Sequence, residues 1–437
     1  MIRFALVVLL ALATLPARAA VEVREVTSPG GVDAWLVEDH SIPFVALELR
    51  FRGGTALDPE GKAGAVNLMA GLLEEGAGAR DAQGFARAAE ELAARFSYDA
   101  SDDAVSVSAR FLTENRVASV DLLRDSLIAP LFDEDAIARV RAQVLSGLRS
   151  DQTDPRSIAS RAAAQLIYGD HPYARPGDGT IESVSALTRE DIVAAHGAAL
   201  ARDRIYVSAV GDITAEELGA LLDRLLGDLP ETGAPLPVKA DPALPGGVKV
   251  VEFETPQSVA LFMQPGPDRH DPDFMAAYVL NHILGGGGFE SRLMTEVREK
   301  RGLTYGVYSY LADKDAAELW MGSVASANGR VGEAIAVIRE EWARMRTEGV
   351  SATELADAKT YLTGAYPLRF EGNAQIASIA VGMQMDGLEP EYIAERNAMV
   401  EAITLNEINR VARDWLDPER LTFVVVGQPE GVDSTLN

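Results

Sequence analysis

Arg298 and Tyr305 lie seven residues apart in the stretch GGGGFESRLMTEVREKRGLTYGVYSY, residues 285–310. The charged run 290–301 reads as a helix stopped by Gly302, and the alternation over 304–311 reads as a strand. A guanidinium near a helix end and a phenol at a strand start can converge on one point across the turn between them. Such a pair is suited to holding a peptide carbonyl and to stabilising the oxyanion that develops during hydrolysis. The plain alternative is a solvated helix face, since Arg292, Lys300 and Arg301 share the same helix. Ahead of it stand Gly285, Gly286, Gly287 and Gly288. A phosphate loop needs a strand before its glycines and a Lys-Ser/Thr after them. Residues 276–284 read as helix and no such pair follows, so a flexible loop permitting close backbone approach fits better.

A hydrolytic metal site needs more than this pair. Helical zinc peptidase sites use two imidazoles one turn apart, a glutamate beside them as base and a further carboxylate ligand. The five histidines are His40, His171, His196, His270 and His282; no two stand at i, i+4 and none lies in an HxxEH arrangement. The chain has no cysteine, which excludes thiolate ligands, disulfides and a lipid-modified cysteine anchor. The expectation is a chain without a metal of its own, in which His171 and His282 are structural.

The elements that must position the pair occur twice. TREDIVAAHGAALARDRIYVSAVGDIT, from Thr188, and TLNEINRVARDWLDPERLTFVVVGQPE, from Thr404, each read as helix, turn and a strand ending in Val-Gly. Thr188/Thr404, Ile192/Ile408, Arg204/Arg420 and Gly211/Gly427 match in one register. Val45-Ala46-Leu47 matches Val259-Ala260-Leu261, and Asn67 falls opposite Asn281. Two structural copies are the economical reading. Residues 229–250, which open on a run rich in proline and glycine without a hydrophobic period, read as the linker between them. Strands expected at 105–111 and 304–311, and helices at 83–95, 133–148 and 332–346, do not alternate one for one. That favours α+β halves over a doubly wound sheet.

An apolar share of 47% with 24% charged residues is that of a globular chain able to bury sizeable cores. Residues 1–19 combine Arg3, an apolar run from Phe4 to Leu15 and Ala17-Arg18-Ala19, the pattern of a secretory signal peptide. With no later stretch of eighteen apolar residues, a periplasmic chain off the membrane is expected. Cleavage removes Arg3 and Arg18 and takes the net charge from −26 to −28. A field of that sign argues against nucleic acid and anionic membrane surfaces as partners.

Nearly the whole mature chain resembles the pitrilysin/insulinase-type (inverzincin) zinc metallopeptidases. REKRGLTY with Ser291-Arg292-Leu293, HPYARP with Gly179-Thr180, and Pro130-Leu131-Phe132 are similar to segments of that family. Residues 52–76, RGGTALDPEGKAGAVNLMAGLLEEG, resemble the segment whose helix bears HxxEH in active members. Here Asn67 stands for the first histidine, Ala70 for the glutamate and Gly71 for the second histidine, and Ser146 and Gly147 stand where the distal glutamate ligand belongs. The resemblance implies two homologous α/β-roll domains, 20–228 and 251–437, joined by an extended linker at 229–250. It assigns substrate gripping and transition-state support to Arg298 and Tyr305. Some bacterial members are pairs of two-domain chains, one with zinc and one with the arginine–tyrosine pair, closing around a peptide. The expectation is thus the zinc-free subunit of a periplasmic heterodimeric metalloendopeptidase, inactive alone. Its partner would be an HxxEH-bearing subunit of similar length that holds the zinc. The alternative is a non-catalytic structural or peptide-binding subunit of a larger assembly.

Overall fold

The computed structural model describes residues 22–436, so the expected signal segment lies outside them. Period-two alternation builds two sheets. The first holds β1 Arg24–Thr27, β2 Asp33–Glu38, β3 Phe44–Arg52, β4 Arg95–Ala100, β5 Ala104–Leu112 and β6 Ile205–Gly211, in the order β1-β2-β6-β3-β5-β4. The second holds β7 Gly247–Glu252, β8 Gln257–Pro265, β9 Val307–Lys314, β10 Ala317–Ala327 and β11 Thr422–Gly427, in the order β9-β10-β8-β11-β7. Without β1 the sheets are the same object: β4-β5-β3-β6-β2 corresponds to β9-β10-β8-β11-β7. In each, the last pair is parallel and the others antiparallel. The two like α+β halves read from the repeat are therefore present. Residues 229–246 carry no helix or strand, and the second sheet begins at Gly247, inside the stretch 229–250 assigned to the linker.

One face of each sheet carries that half's own helices, among them α1 Ala65–Ala70, α2 Glu134–Asp151 and α4 Arg189–Ala199, then α5 Phe274–Asn281 and α7 Leu405–Trp415; α3 Pro155–Tyr168 and α6 Asn373–Met385 lie apart from these. The repeated segments start their helices alike. Thr188 with Asp191 opens α4 and Thr404 with Glu407 opens α7, each a capping box that satisfies orphan N–H groups. On β3 the alternate residues Val45, Leu47, Leu49 and Phe51 enter the first core, and Ala260 and Phe262 of β8 enter the second.

The opposite faces are covered crosswise. From the first half, α3 lies on the second sheet: Ala159 meets Val259 and Val426, and Ala163 and Ile167 meet Met263, Leu319 and Val424. From the second half, α6 lies on the first sheet: Ala377 meets Ala46 and Val210, and Ala380 and Met383 meet Trp35. Gln384 Nε2 donates to the Val207 carbonyl at 2.7 Å, and Arg52 donates to the Met385 carbonyl. Each half thus lends a helix to the other. Between them the HPYARP segment bridges the two halves. The Tyr173 hydroxyl donates to Asp103 and accepts from the Ala316 N–H at 3.0 Å, while Lys314 pairs with Asp102 and sits 4.3 Å from the Tyr173 ring. His171 Nε2 meets the Val238 carbonyl at 2.9 Å and ties down the connection between the halves.

Candidate functional site

The segment 282–310 departs from regular winding where its chemistry is concentrated. His282–Gly286 and Met294–Glu299 are π-helical turns, and Gly288–Glu290 is a 3-10 turn. The helix expected over 290–301 is therefore shorter and wider than its period suggested. Such widened turns recur at functional positions. The glycines are not simply a flexible loop. A Cβ on Gly285 would lie 2.4 Å from Ser309 Oγ, on Gly286 2.8 Å from Asn281 Nδ2, and on Gly287 2.7 Å from the His282 carbonyl. Close packing requires these three, whereas Gly288 is required by its backbone, at φ +59°. Asn281 anchors the turn from inside: its Oδ1 accepts from Ser309 Oγ at 2.7 Å and Trp320 Nε1 at 2.8 Å, and its Nδ2 donates to the Ser309 carbonyl at 3.2 Å.

Three of the four cations on this segment are neutralised. Arg292 donates to both oxygens of Glu354, at 2.7 and 2.9 Å. Lys300 and Arg301 each meet Glu296 at 2.7 Å, and Arg344 joins at 3.3 Å. Glu296 is 6% exposed, and its hydrogen bond from Lys300, reinforced by the two arginines, holds its pKa down at about 2. Arg301, which sequence alone places on a solvated face, is thus structural. Arg298 meets no carboxylate among the described residues; its guanidinium lies 4.5 Å over the ring of the exposed Phe289. The sequence reading missed Phe289, although an aromatic between a glycine run and a charged helix was a visible signal.

Beyond Arg298 the chain turns at once. The Gly302 N–H bonds the Arg298 carbonyl at 2.8 Å and the Leu303 N–H bonds that of Val297 at 2.9 Å. Thr304 Oγ1 then reaches the carbonyls of Gly306 and Ala325, at 2.8 and 2.7 Å. This pins both sides of Tyr305 and delays β9 to Val307, later than the expected strand start. Tyr305 is 87% exposed and its hydroxyl has no partner among the described residues. The structure sets Arg298 and Tyr305 at the two ends of one pinned turn. No hydrogen bond or ring contact joins them to each other.

The positions to which the resemblance assigns zinc ligands and base carry no imidazole or carboxylate. α1 stops at Ala70, with the Gly71 N–H closing on the carbonyls of Asn67 and Met69. Asn67 is half-buried, Ala70 is 2% exposed and packed in the core, and Gly71 is exposed beside Val140. Ser146 and Gly147 lie on the exposed side of α2. Among the described residues no group of three or more His, Cys, Asp or Glu side chains is placed to hold a metal. These residues do not fit zinc. Accordingly, Asn67→His, Ala70→Glu and Gly71→His combined are expected to bind no stoichiometric zinc by elemental analysis. The third ligand stays absent, and the new glutamate enters an apolar core.

The start of α1 is held by Asp58, 3% exposed, whose carboxylate accepts from the N–H groups of Gly64 at 2.7 Å and Val66 at 2.9 Å. Burial outweighs those bonds and raises its pKa from 3.8 to about 6. Below that value the folded chain retains a proton that the unfolded chain releases, so stability rises on acidification and is lost as pH climbs through the folded pKa. Urea unfolding is expected to show higher stability at about pH 5 than at about pH 7, with Asp313 and Asp315, also raised to about 6 by burial, contributing. Asp58→Asn is expected to reduce that rise.

Residues 34–179 match the family model described as insulinase (peptidase family M16), and residues 186–362 match the one described as peptidase M16 inactive domain. The chain belongs to the M16, insulinase-type, peptidase family. Within it, the chain is 26% identical over 390 residues to a Helicobacter pylori protein named non-peptidase homolog YmxG, covering 89% of this chain and 90% of that one. It is 28% identical over 431 residues to a Mycobacterium tuberculosis protein named as an uncharacterized zinc protease, covering 96% of each. The crystal structure of a peptidase M16 inactive domain from Pseudomonas fluorescens superposes with a TM-score of 0.87 at 29% identity, covering 95% of this chain and 100% of that one. A Helicobacter pylori protease shares the fold at a TM-score of 0.83 and 16% identity, over 93% of this chain and 99% of that one. The second half of the chain thus matches the model described as the M16 inactive domain, and its relatives carry both names, non-peptidase homolog and zinc protease.

Proposed function

We propose that this chain is the zinc-free, substrate-gripping subunit of a periplasmic heterodimeric M16 endopeptidase. The observation that carries the reading is Arg298, left without a carboxylate while Arg292, Lys300 and Arg301 around it are neutralised. In a chain with 66 acids and 40 Lys plus Arg, a guanidinium kept free and stacked on Phe289 is available for a ligand carbonyl. Tyr305 stands exposed at the far end of the same turn and can donate its hydroxyl to a developing oxyanion. An HxxEH-bearing partner of similar length would supply the zinc and the base.

Peptide turnover measured for each chain alone and for the mixture tests this. Activity is expected only when both are present, with this chain inactive by itself. A partner that turns over equally fast without this chain would leave the second reading, a structural or peptide-binding subunit. The name of the non-peptidase relative favours that second reading.

A further inference from the structure

The second half contains a pocket of about 330 Å³ that the gripping turn does not use, since none of its lining residues falls within 285–310. It lies where α5 and α6 meet the turn Tyr366–Phe370 and the helix Tyr392–Ala402. Arg269, Arg369 and Arg396 line it, against a single carboxylate, Asp386. None of the three arginines forms an ion pair among the described residues. Arg396 is 4% exposed, and its Nη1 donates only to the Leu362 carbonyl at 2.8 Å and Asn397 Oδ1 at 3.1 Å. The rings of Tyr366 and Tyr278 flank it at 4.6 and 5.4 Å. Arg269 rests on Phe274 at 4.6 Å and on Tyr392 at 5.4 Å, with one long 3.4 Å hydrogen bond to the Tyr392 hydroxyl. Arg369 is exposed and without a partner.

A buried guanidinium without a counter-charge is costly. This chain has a large excess of acids with which to pair it. Arg269 is attracted by Asp386 and Asp313, but three guanidiniums without a salt bridge around a concave, aromatic-walled space outnumber the one carboxylate lining it. Such a space has the make-up of an anion site, with polar groups that orient a ligand and rings that cover its body. We propose that the pocket binds a small organic anion. Its carboxylate or phosphate would lie among Arg269, Arg369 and Arg396, and its planar or apolar body against Tyr278, Tyr366 and Tyr392. The site is complete within one chain and needs no peptidase partner, so its test is independent of the function proposed above.

Calorimetric titration of the full chain with N-acetylphenylalanine, its uncharged amide and inorganic phosphate tests the proposal. The acid is expected to bind saturably, the amide at least about tenfold more weakly, and phosphate to compete with the acid while binding more weakly than it, for want of a body to cover the rings. Arg369→Gln at the exposed mouth and, separately, Arg269→Gln are each expected to weaken acid binding about tenfold. Arg330→Gln, remote from the pocket, is expected to leave it unchanged. Equal binding of acid and amide, unchanged affinity in both pocket variants, or no saturable binding of the acid would overturn the proposal.

Discussion

In the assembled pair, Tyr305→Phe in this chain is expected to lower kcat by roughly 10²–10³-fold, the usual cost of removing one oxyanion donor. The phenyl ring keeps the shape of the exposed side chain and removes only the hydroxyl, so the loss falls on the transition state and KM changes little. Arg298→Ala is expected to act differently. A guanidinium that grips ground-state carbonyls contributes to binding in both states, so its removal raises KM. Zinc content of the partner should stay constant in both variants, which separates the effect from collapse of the metal site. Arg301 is no control for this experiment, because it holds the buried Glu296 through its side chain and backbone. Arg24, paired on the surface with Glu38 at the edge of the first sheet, is the suitable control. Wild-type rates from both variants in a verified heterodimer would remove the gripping role.

The second large effect is expected at Asn281. Its side chain joins α5 to β9 through Ser309 and to β10 through Trp320, with all three residues buried. Asn281→Leu leaves the Trp320 N–H and the Ser309 hydroxyl without acceptors and the Ser309 carbonyl without its side-chain donor. A stability loss of about 3 kcal/mol is expected in urea unfolding. Activity of the pair should fall as well, since the same network sets the turn that leads to Arg298 and Tyr305. A variant with unchanged stability would show that the network is not what holds the turn.

Much of this was legible in the chain. The alternation on β5 and β9 and the Val-Gly endings of β6 and β11 report period-two burial and a shared register. Thr188 and Thr404 mark helix starts through their own capping chemistry. The π turns at 282–286 and 294–299 were not legible, because an i to i+5 winding has no apolar period of its own and reads as ordinary helix. The roles of the cations on 292–301 were hidden for a different reason. Arg344 and Glu354 reach them from distant helices, and only the fold shows that Arg298 is the one left free. That Asn67, Ala70 and Gly71 carry neither imidazole nor carboxylate needed no structure, since residue type alone shows it. The crosswise helices left no trace, because the apolar stripe of α3 looks like that of any helix lying on its own sheet.

That exchange fixes an order of events at the birth of the molecule. Ala46 and Val210 are covered by Ala377, which is synthesised more than 160 residues after Val210. At ribosomal speeds of about 5–20 residues per second, the first sheet waits roughly ten to thirty seconds with that face uncovered. During this interval the half-chain is an open sandwich whose missing layer does not yet exist. Its hydrophobic face is then free to meet another nascent copy, so the earliest hazard this sequence faces is time rather than stability.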